Sequence, residues 1–479
     1  MTADLRAAGG SATRATVVSA ASQLGAKLAH LVLNVISTLA IIRYLAPEGY
    51  GTYVLVLTVT TIAGVIADFG LPKLAVREAV RPTEDPAEVI GTVAGLRLCL
   101  ALVAAGGIQL ALLAFGQGPA AHLAGAIASL IVLGDAVLGV VLVVFQIHLA
   151  QQYEAAIRVV SELVETALVI GLIVLGASLP TLFVAPVVGV LLGTGLALWL
   201  GRRRFGLRPR FVPGRVRALI VEALPLGPGL LVGVLYLKTD SIVVAALRPG
   251  ADLGRYASAY QPIEYVFLGF AVLVNVLFPL LARAHADGDV ARFAGLYRHG
   301  SELLFAVAVA APVVVLCGAP GIVDLAYGSA YAEAAGPLRW LAVALAPMIL
   351  NGWQSLVLLT AGAQRITLAY NLIALAVAVP LDIVLIRAAG IDGAGMAALL
   401  GGLFVLCCST VAVRRHARAT LPPGRFVRLA LAGAVAALLG VGAVRLGVPW
   451  LLACVLALAA YGLAVSRTGV VTDLRRAVA

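Results

Sequence analysis

Arg43-Tyr-Leu-Ala-Pro47-Glu-Gly-Tyr-Gly51-Thr-Tyr53 is a short polar break between two apolar runs, 16–42 and 53–71. Its elements return about 200 residues later. Leu247-Arg-Pro249 and Gly254-Arg-Tyr256 repeat the L-x-P and G-x-Y spacing, and Pro279-Leu-Leu281-Ala282 answers Pro72-Lys-Leu74-Ala75 at the far end of the following run. Six apolar runs separate the copies, so both face the same way. Such a repeat argues for two six-helix lobes related by an axis along the membrane normal, the parallel-repeat arrangement of transporters.

Composition supports a membrane setting. Of the 479 residues, 62% are hydrophobic and only 12% charged, and the mean hydropathy is +1.05. A soluble chain of this length cannot hide so much apolar surface. A soluble enzyme, a nucleic-acid binder and a disordered chain are therefore excluded. The five cysteines lie inside apolar runs, without zinc-type or redox-type spacing, and read as small hydrophobes.

A spanning helix needs about 20 apolar residues. Candidates fall at 16–42, 53–71, 89–115, 121–146, 158–176, 179–201, 218–247, 257–282, 301–325, 337–361, 367–387, 391–413, 428–446 and 449–466, which predicts an all-α membrane protein with about 14 transmembrane helices. Lys27, His30 and Asn34 interrupt the first run, so it reads as a retained span and not as a cleaved signal. With the N-terminus in the cytoplasm, 25 of the 34 basic residues fall on the inside and six on the outside. That is the positive-inside distribution, and it places both termini in the cytoplasm. The same walk divides the chain into an N-lobe (1–201, spans 1–6), a basic cytoplasmic linker (202–217), a C-lobe (218–413, spans 7–12) and a C-terminal helix pair with its tail (414–479). The linker carries seven arginines, read as a topology signal in contact with anionic lipid.

Polar residues inside spans are expensive and tend to face a cavity or one another. Gln23, Lys27, His30, Asn34 and Ser37 form one stripe on the first span. Arg97 in the third span, Lys238 and Asp240 in the Gly/Pro-interrupted seventh, and Glu264 and Asn275 in the eighth complete the candidate set. Arg97 has two readings, a fork for phosphate or a chain snorkelling to the interface. An Arg158–Glu162 pair is expected within the fifth span. Asp68 and Asp240 are open to ion coupling or to structural pairing. No GxSxG, HExxH or Walker A occurs and the six histidines are scattered, so neither an enzyme nor a metal site is expected. A membrane-bound glycan-processing enzyme would also need outside loops longer than these.

The 43–53 motif, followed by Ala67-Asp68-Phe-Gly70-Leu71 and Val76-Arg77-Glu78, resembles the opening of polysaccharide flippases of the multidrug/oligosaccharidyl-lipid/polysaccharide exporter superfamily. Lys238-Thr-Asp240-Ser is similar to that family's seventh-span pattern, and the likeness covers roughly 15–415. It implies two lobes forming a V-shaped cavity, and movement of an undecaprenyl-diphosphate-linked oligosaccharide from the inner to the outer leaflet of the bacterial cytoplasmic membrane by alternating access. Lys27, Arg97 and Lys238 would then face the diphosphate, and Gln23, His30 and Asn34 the sugars. No cofactor is implied, and proton or sodium coupling stays open. The partners expected are the lipid-linked oligosaccharide, membrane lipids and other polysaccharide-assembly membrane proteins, with no nucleic acid. A peptidoglycan-precursor flippase and a cation-coupled multidrug antiporter share the fold and stand as alternatives.

Overall fold

The structure, a computed structural model, describes residues 2–470 other than 82–84, 149, 207–208, 225 and 418; side chains are described from residue 29 onward, other than those of 271–272, 275–276 and 364. The described residues are helical throughout, with short connections and no strand. Nine helices among them are long and apolar enough to cross a membrane. Two of these are double. Helix α1 (Thr2–Asp68) turns at Ala46, where φ is 53° and ψ 174°, and α13 (Gln364–His416) turns at Gly390. A non-glycine residue at positive φ is strained, and the extended ψ is what the following Pro47 demands. With α5 (Gln151–Val174), α10 (Ala251–Ala286) and α15 (Trp450–Ser466), the membrane-length segments come to the fourteen expected.

Helix boundaries follow the sequence punctuation. Asp85 accepts from Ala87 N at 2.9 Å and Pro86 opens α3 (Pro86–Ala114). Gly118 and Pro119 start α4 (Pro119–Ile147). Helix α7 (Val184–Phe205), preceded by the single turn α6 (Leu179–Leu182), ends with Arg202, Arg203 and Arg204 in its last turn and Gly206 at φ 61°. Cations suit the negative end of the helix dipole, and glycine suits the left-handed cap. One boundary differs from the expectation. Residues 218–247 are not one span: α8 (Pro213–Ala223) is a separate short helix, and α9 starts afresh at Gly227 and runs to Leu247.

The chain forms two compact units, residues 1–45 with 52–234, and 46–51 with 235–479. In the first unit, α2 (Leu71–Ala79) and α8 pack with α3, α4, α5 and α7 around Leu71, Leu74, Val93, Phe145, Ile157 and Leu219. A strap at 209–212 crosses α3: Arg210 N donates to Ala87 O at 2.9 Å and Val212 N to Thr92 Oγ1 at 3.1 Å. The strap lies so close that a Cβ at Gly91 would strike the Arg210 backbone and one at Gly95 the Phe211 ring.

In the second unit, the glycines of the two G-x-Y copies face each other. A Cβ on Gly51 would collide with the Gly250 carbonyl, and one on Gly254 with the Pro47 carbonyl. Helices α14 (Pro423–Arg445) and α15 pack on α11 (Val290–Tyr327) through Val309, Val313, Cys317, Ala436, Ala457 and Tyr461. Small residues let these helices approach, the usual basis of association where lipid offers no hydrophobic drive. Gly440 lies against the Cys317 sulfur, and Tyr461 OH donates to Ala306 O at 2.8 Å. The opposite faces, including Leu438, Leu439, Leu452 and Val455, stay exposed. That surface is where the apolar excess goes: it faces lipid.

Candidate functional site

A cavity with polar lining opens in each unit. In the first unit, His30 and Ser37 of α1 meet the polar face of α5. His30 Nδ1 lies 3.1 Å from Glu162 Oε2, and Ser37 Oγ donates to Thr166 Oγ1 at 2.9 Å. Asn34 sits between them on the same face. The side chains of Gln23 and Lys27 lie outside the described residues. Around His30 opens a cavity of about 540 Å³, lined from α4 by Asp135 and from α5 by Glu154, Arg158, Ser161, Glu162 and Glu165. Glycines on α7 make room for it: a Cβ at Gly189 would come within 3.1 Å of the Glu165 carboxylate and one at Gly193 within 2.7 Å of Ser161 Oγ.

The pairing on α5 differs from the expectation. Arg158 reaches back one turn to Glu154, with Nη2 to Oε1 at 3.0 Å. Glu162 is occupied by His30, and a glutamate four residues before an arginine is the better orientation on a helix. The described lining thus carries four carboxylates, Asp135, Glu154, Glu162 and Glu165, against Arg158 and His30. Two of the four are paired; Asp135 and Glu165 are left for whatever occupies the space.

Arg97 takes neither expected role. Its side chain is buried, 4% of the residue being exposed, and Nη2 donates to Asp68 Oδ1 at 3.0 Å. The guanidinium lies against Gly139 of α4, and Nε and Nη1 are buried without a hydrogen-bond partner. Arg97 is therefore absent from the described lining of both cavities, and the cationic cavity read from the sequence loses one of its members. Asp68 closes α1, just before Phe69 and Gly70 turn the chain at positive φ.

In the second unit a smaller cavity, about 150 Å³, opens between α9, α10, α12 (Ala335–Thr360) and α13. Tyr236, Thr239, Asp240, Tyr260, Asn351 and Asp382 supply its polar lining. Asp240 accepts from Tyr256 OH and, at 2.7 Å, from Ser241 N. Asp382 is 3% exposed. It makes no hydrogen bond or ion pair among the described residues, and Asn351 Oδ1 is likewise buried without a partner. An unpaired buried acid is costly unless it holds a proton or a cation. No three His, Cys, Asp or Glu side chains that could hold a metal ion converge among the described residues.

The remaining candidates are dispersed. Lys238 is half-buried on α9 but does not line the cavity, and Glu264 on α10 is exposed. The side chain of Asn275, on α10, lies outside the described ones. Asp135, Glu165 and Asp382, which line the two cavities, are not among the candidates read from the sequence. The available signal was that none has a cation three or four residues away to pair with.

The comparisons agree with this architecture. The fold is that of multi-pass membrane flippases and transporters. A solved structure titled "Lipid II flippase MurJ, inward closed conformation" superposes with a TM-score of 0.76 at 13% identity, covering 95% of this chain and 99% of that one. An inward-facing multidrug resistance MATE family transporter of the MOP superfamily gives 0.66 at 15% identity, over 83% of this chain and 98% of that one. A MOP superfamily transporter from Pyrococcus furiosus, described as having a binding pocket of reverse polarity, gives 0.54 at 14% identity, over 83% of this chain and 95% of that one. No curated protein matches. The chain belongs to the polysaccharide biosynthesis protein family, which matches residues 12–285. These relatives are flippases and transporters, not enzymes.

Proposed function

We propose that this chain moves an undecaprenyl-diphosphate-linked oligosaccharide from the inner to the outer leaflet of the bacterial cytoplasmic membrane, for cell-surface polysaccharide assembly. The observation that carries the reading is the family match over 12–285, a stretch that takes in most of the first unit and all the lining of its cavity. The size of that cavity supports it, falling within the roughly 300–1,000 Å³ of ordinary ligand sites. His30, Ser161 and the carboxylates offer hydrogen bonds to sugar hydroxyls. On α1, Gln23, Lys27 and Asn34 join His30 on the substrate side. Lys238, Glu264 and Asn275 serve the second unit. Arg97 is left out of the set, as a structural partner of Asp68. The cavity is exposed to the two sides alternately, and both termini sit in the cytoplasm, as the 25-to-6 division of basic residues supports. A negative interior favours outward passage of an anion by about 2.3 kcal/mol per charge per 100 mV. Asp240 and Asp382 bind the coupling proton or sodium ion.

Deletion of the gene followed by analysis of lipid-linked intermediates tests this. The expected result is loss of one surface glycan with its undecaprenyl-linked precursor accumulating. Unchanged glycan with no accumulated intermediate overturns the assignment, and accumulation of the peptidoglycan precursor instead would move the substrate. One observation favours a second reading. The carboxylate-rich lining of the first cavity suits a cationic solute, so export of organic cations would show as drug sensitivity of the deletion strain with normal glycan.

A further inference from the structure

We propose that α8 and the adjoining end of α7 form an interfacial platform that binds the headgroups of anionic phospholipids, in the leaflet on the arginine-rich side. Helix α8 has three faces. Leu219 and Ala223 are buried in the core of the first unit. A second edge is tied by ion pairs, Glu222 to Arg77 at 2.7 Å and Arg215 to Glu88 at 3.8 Å. The third carries Arg217, Ile220, Val221 and Leu224, all exposed and, at 100° per residue, all within one sector of about 100°. Among the described residues nothing covers those three apolar side chains, which are 38%, 57% and 51% exposed. An apolar strip edged by arginine is the face that a helix sinks into the boundary between headgroups and acyl chains.

The end of α7 matches it. Trp199 is 54% exposed, and the Arg203 guanidinium carbon stands 5.4 Å from its ring centroid. Tryptophan belongs at the membrane–water interface, and arginine beside it extends toward phosphate. Arg202 and Arg204 are exposed too. Other arginines of this surface have carboxylate partners, such as Arg210 with Asp85 at 2.8 Å. Arg202, Arg203, Arg204 and Arg217 have none among the described residues. Arg217 within the apolar strip, and three more unpaired cations at the end of α7 a few residues earlier in the chain, are complementary to phosphate diesters lying over hydrocarbon. An acidic protein segment would satisfy the arginines but leave Ile220, Val221 and Leu224 uncovered.

The test reconstitutes the full chain in nanodiscs made from an equimolar mixture of phosphatidylglycerol and phosphatidylcholine, then measures the ratio of the two lipids retained after extraction into detergent. Phosphatidylglycerol is expected to be enriched, and the enrichment to fall as salt rises, since exposed charges are screened. In R202Q/R203Q/R204Q/R217Q it should fall by about fivefold or more, since fivefold is the equivalent of the about 1 kcal/mol that one arginine contributes near an anionic surface. The lysine version, R202K/R203K/R204K/R217K, keeps the charge and should keep most of the enrichment. Wild-type enrichment in the glutamine variant overturns the proposal. Should that variant fail to insert, salt-independent enrichment in the unmodified chain overturns it equally.

Discussion

Arg97 Nη2 meets Asp68 Oδ1 at 3.0 Å, joining the third span to the end of the second inside one unit. A buried cation with a single acidic partner is a structural element first. Removing Asp68 strands the buried guanidinium, at a cost of about 3–5 kcal/mol, whereas removing Arg97 leaves a carboxylate that solvent reaches. Asp68→Asn is therefore expected to lower the thermal unfolding midpoint in detergent sharply, and Arg97→Ala much less. The double variant Arg97→Met with Asp68→Asn should recover much of the loss. A stable Arg97→Ala protein without transport would instead place Arg97 at the substrate.

His30 and Glu162 pair on the cavity wall, where half of the His30 side chain is exposed. A partly exposed pair contributes little to stability, up to about 1 kcal/mol. His30→Gln and Glu162→Gln are expected to fold normally yet transport about tenfold more slowly, a loss of about 1.4 kcal/mol in the barrier. The double variant should be no worse than either single one. Additive losses in a reconstituted transport assay would show that the two act separately.

Asp382 stands buried without a hydrogen bond among the described residues, facing the same cavity as Asp240. Replacing an uncompensated buried acid with a neutral isostere relieves its desolvation. Asp382→Asn is expected to raise the unfolding midpoint by a few degrees while abolishing the dependence of transport on the ion gradient. A lowered midpoint would reveal a structural partner and remove Asp382 from coupling.

Glu302 is 1% exposed and takes Arg425 of α14 at 2.8 Å and His299 at 3.2 Å. This network fastens the C-terminal helix pair to α11. Arg425→Ala leaves the buried carboxylate with His299 as its remaining partner and should cost about 1.5–3 kcal/mol, the worth of a hydrogen bond to a charged group. Tryptic cleavage ahead of α14 is expected to quicken before the rest of the chain unfolds. Cleavage at the wild-type rate would mean that the apolar packing of Val309 and Tyr461 suffices.

The helices were legible because each span is a long apolar run ended by proline, glycine or arginine, as at Asp85-Pro86 and Gly118-Pro119. The repeat was legible too, and its glycines prove to mark the close approach of Gly51 to Gly250 and of Gly254 to Pro47. Helix α8 was missed because its apolar residues continue into the next span, and only the break before Gly227 separates them. The pairings were not legible. Arg97 finds Asp68 29 residues away. Glu162 prefers His30 on another helix to Arg158 on its own. Partner choice of this kind depends on how helices cross, which a hydropathy pattern does not encode.

The strap at 209–212 carries one more consequence. Loops between helices ordinarily accept insertions at little cost. This one is pinned by backbone bonds to Ala87 and Thr92 and seated on two glycines, so it has no slack. Its length is constrained along with its charge. An extra residue at 209–212 would slide Phe211 off Gly95, whereas one added at Gly206, ahead of the strap, would leave that seating alone.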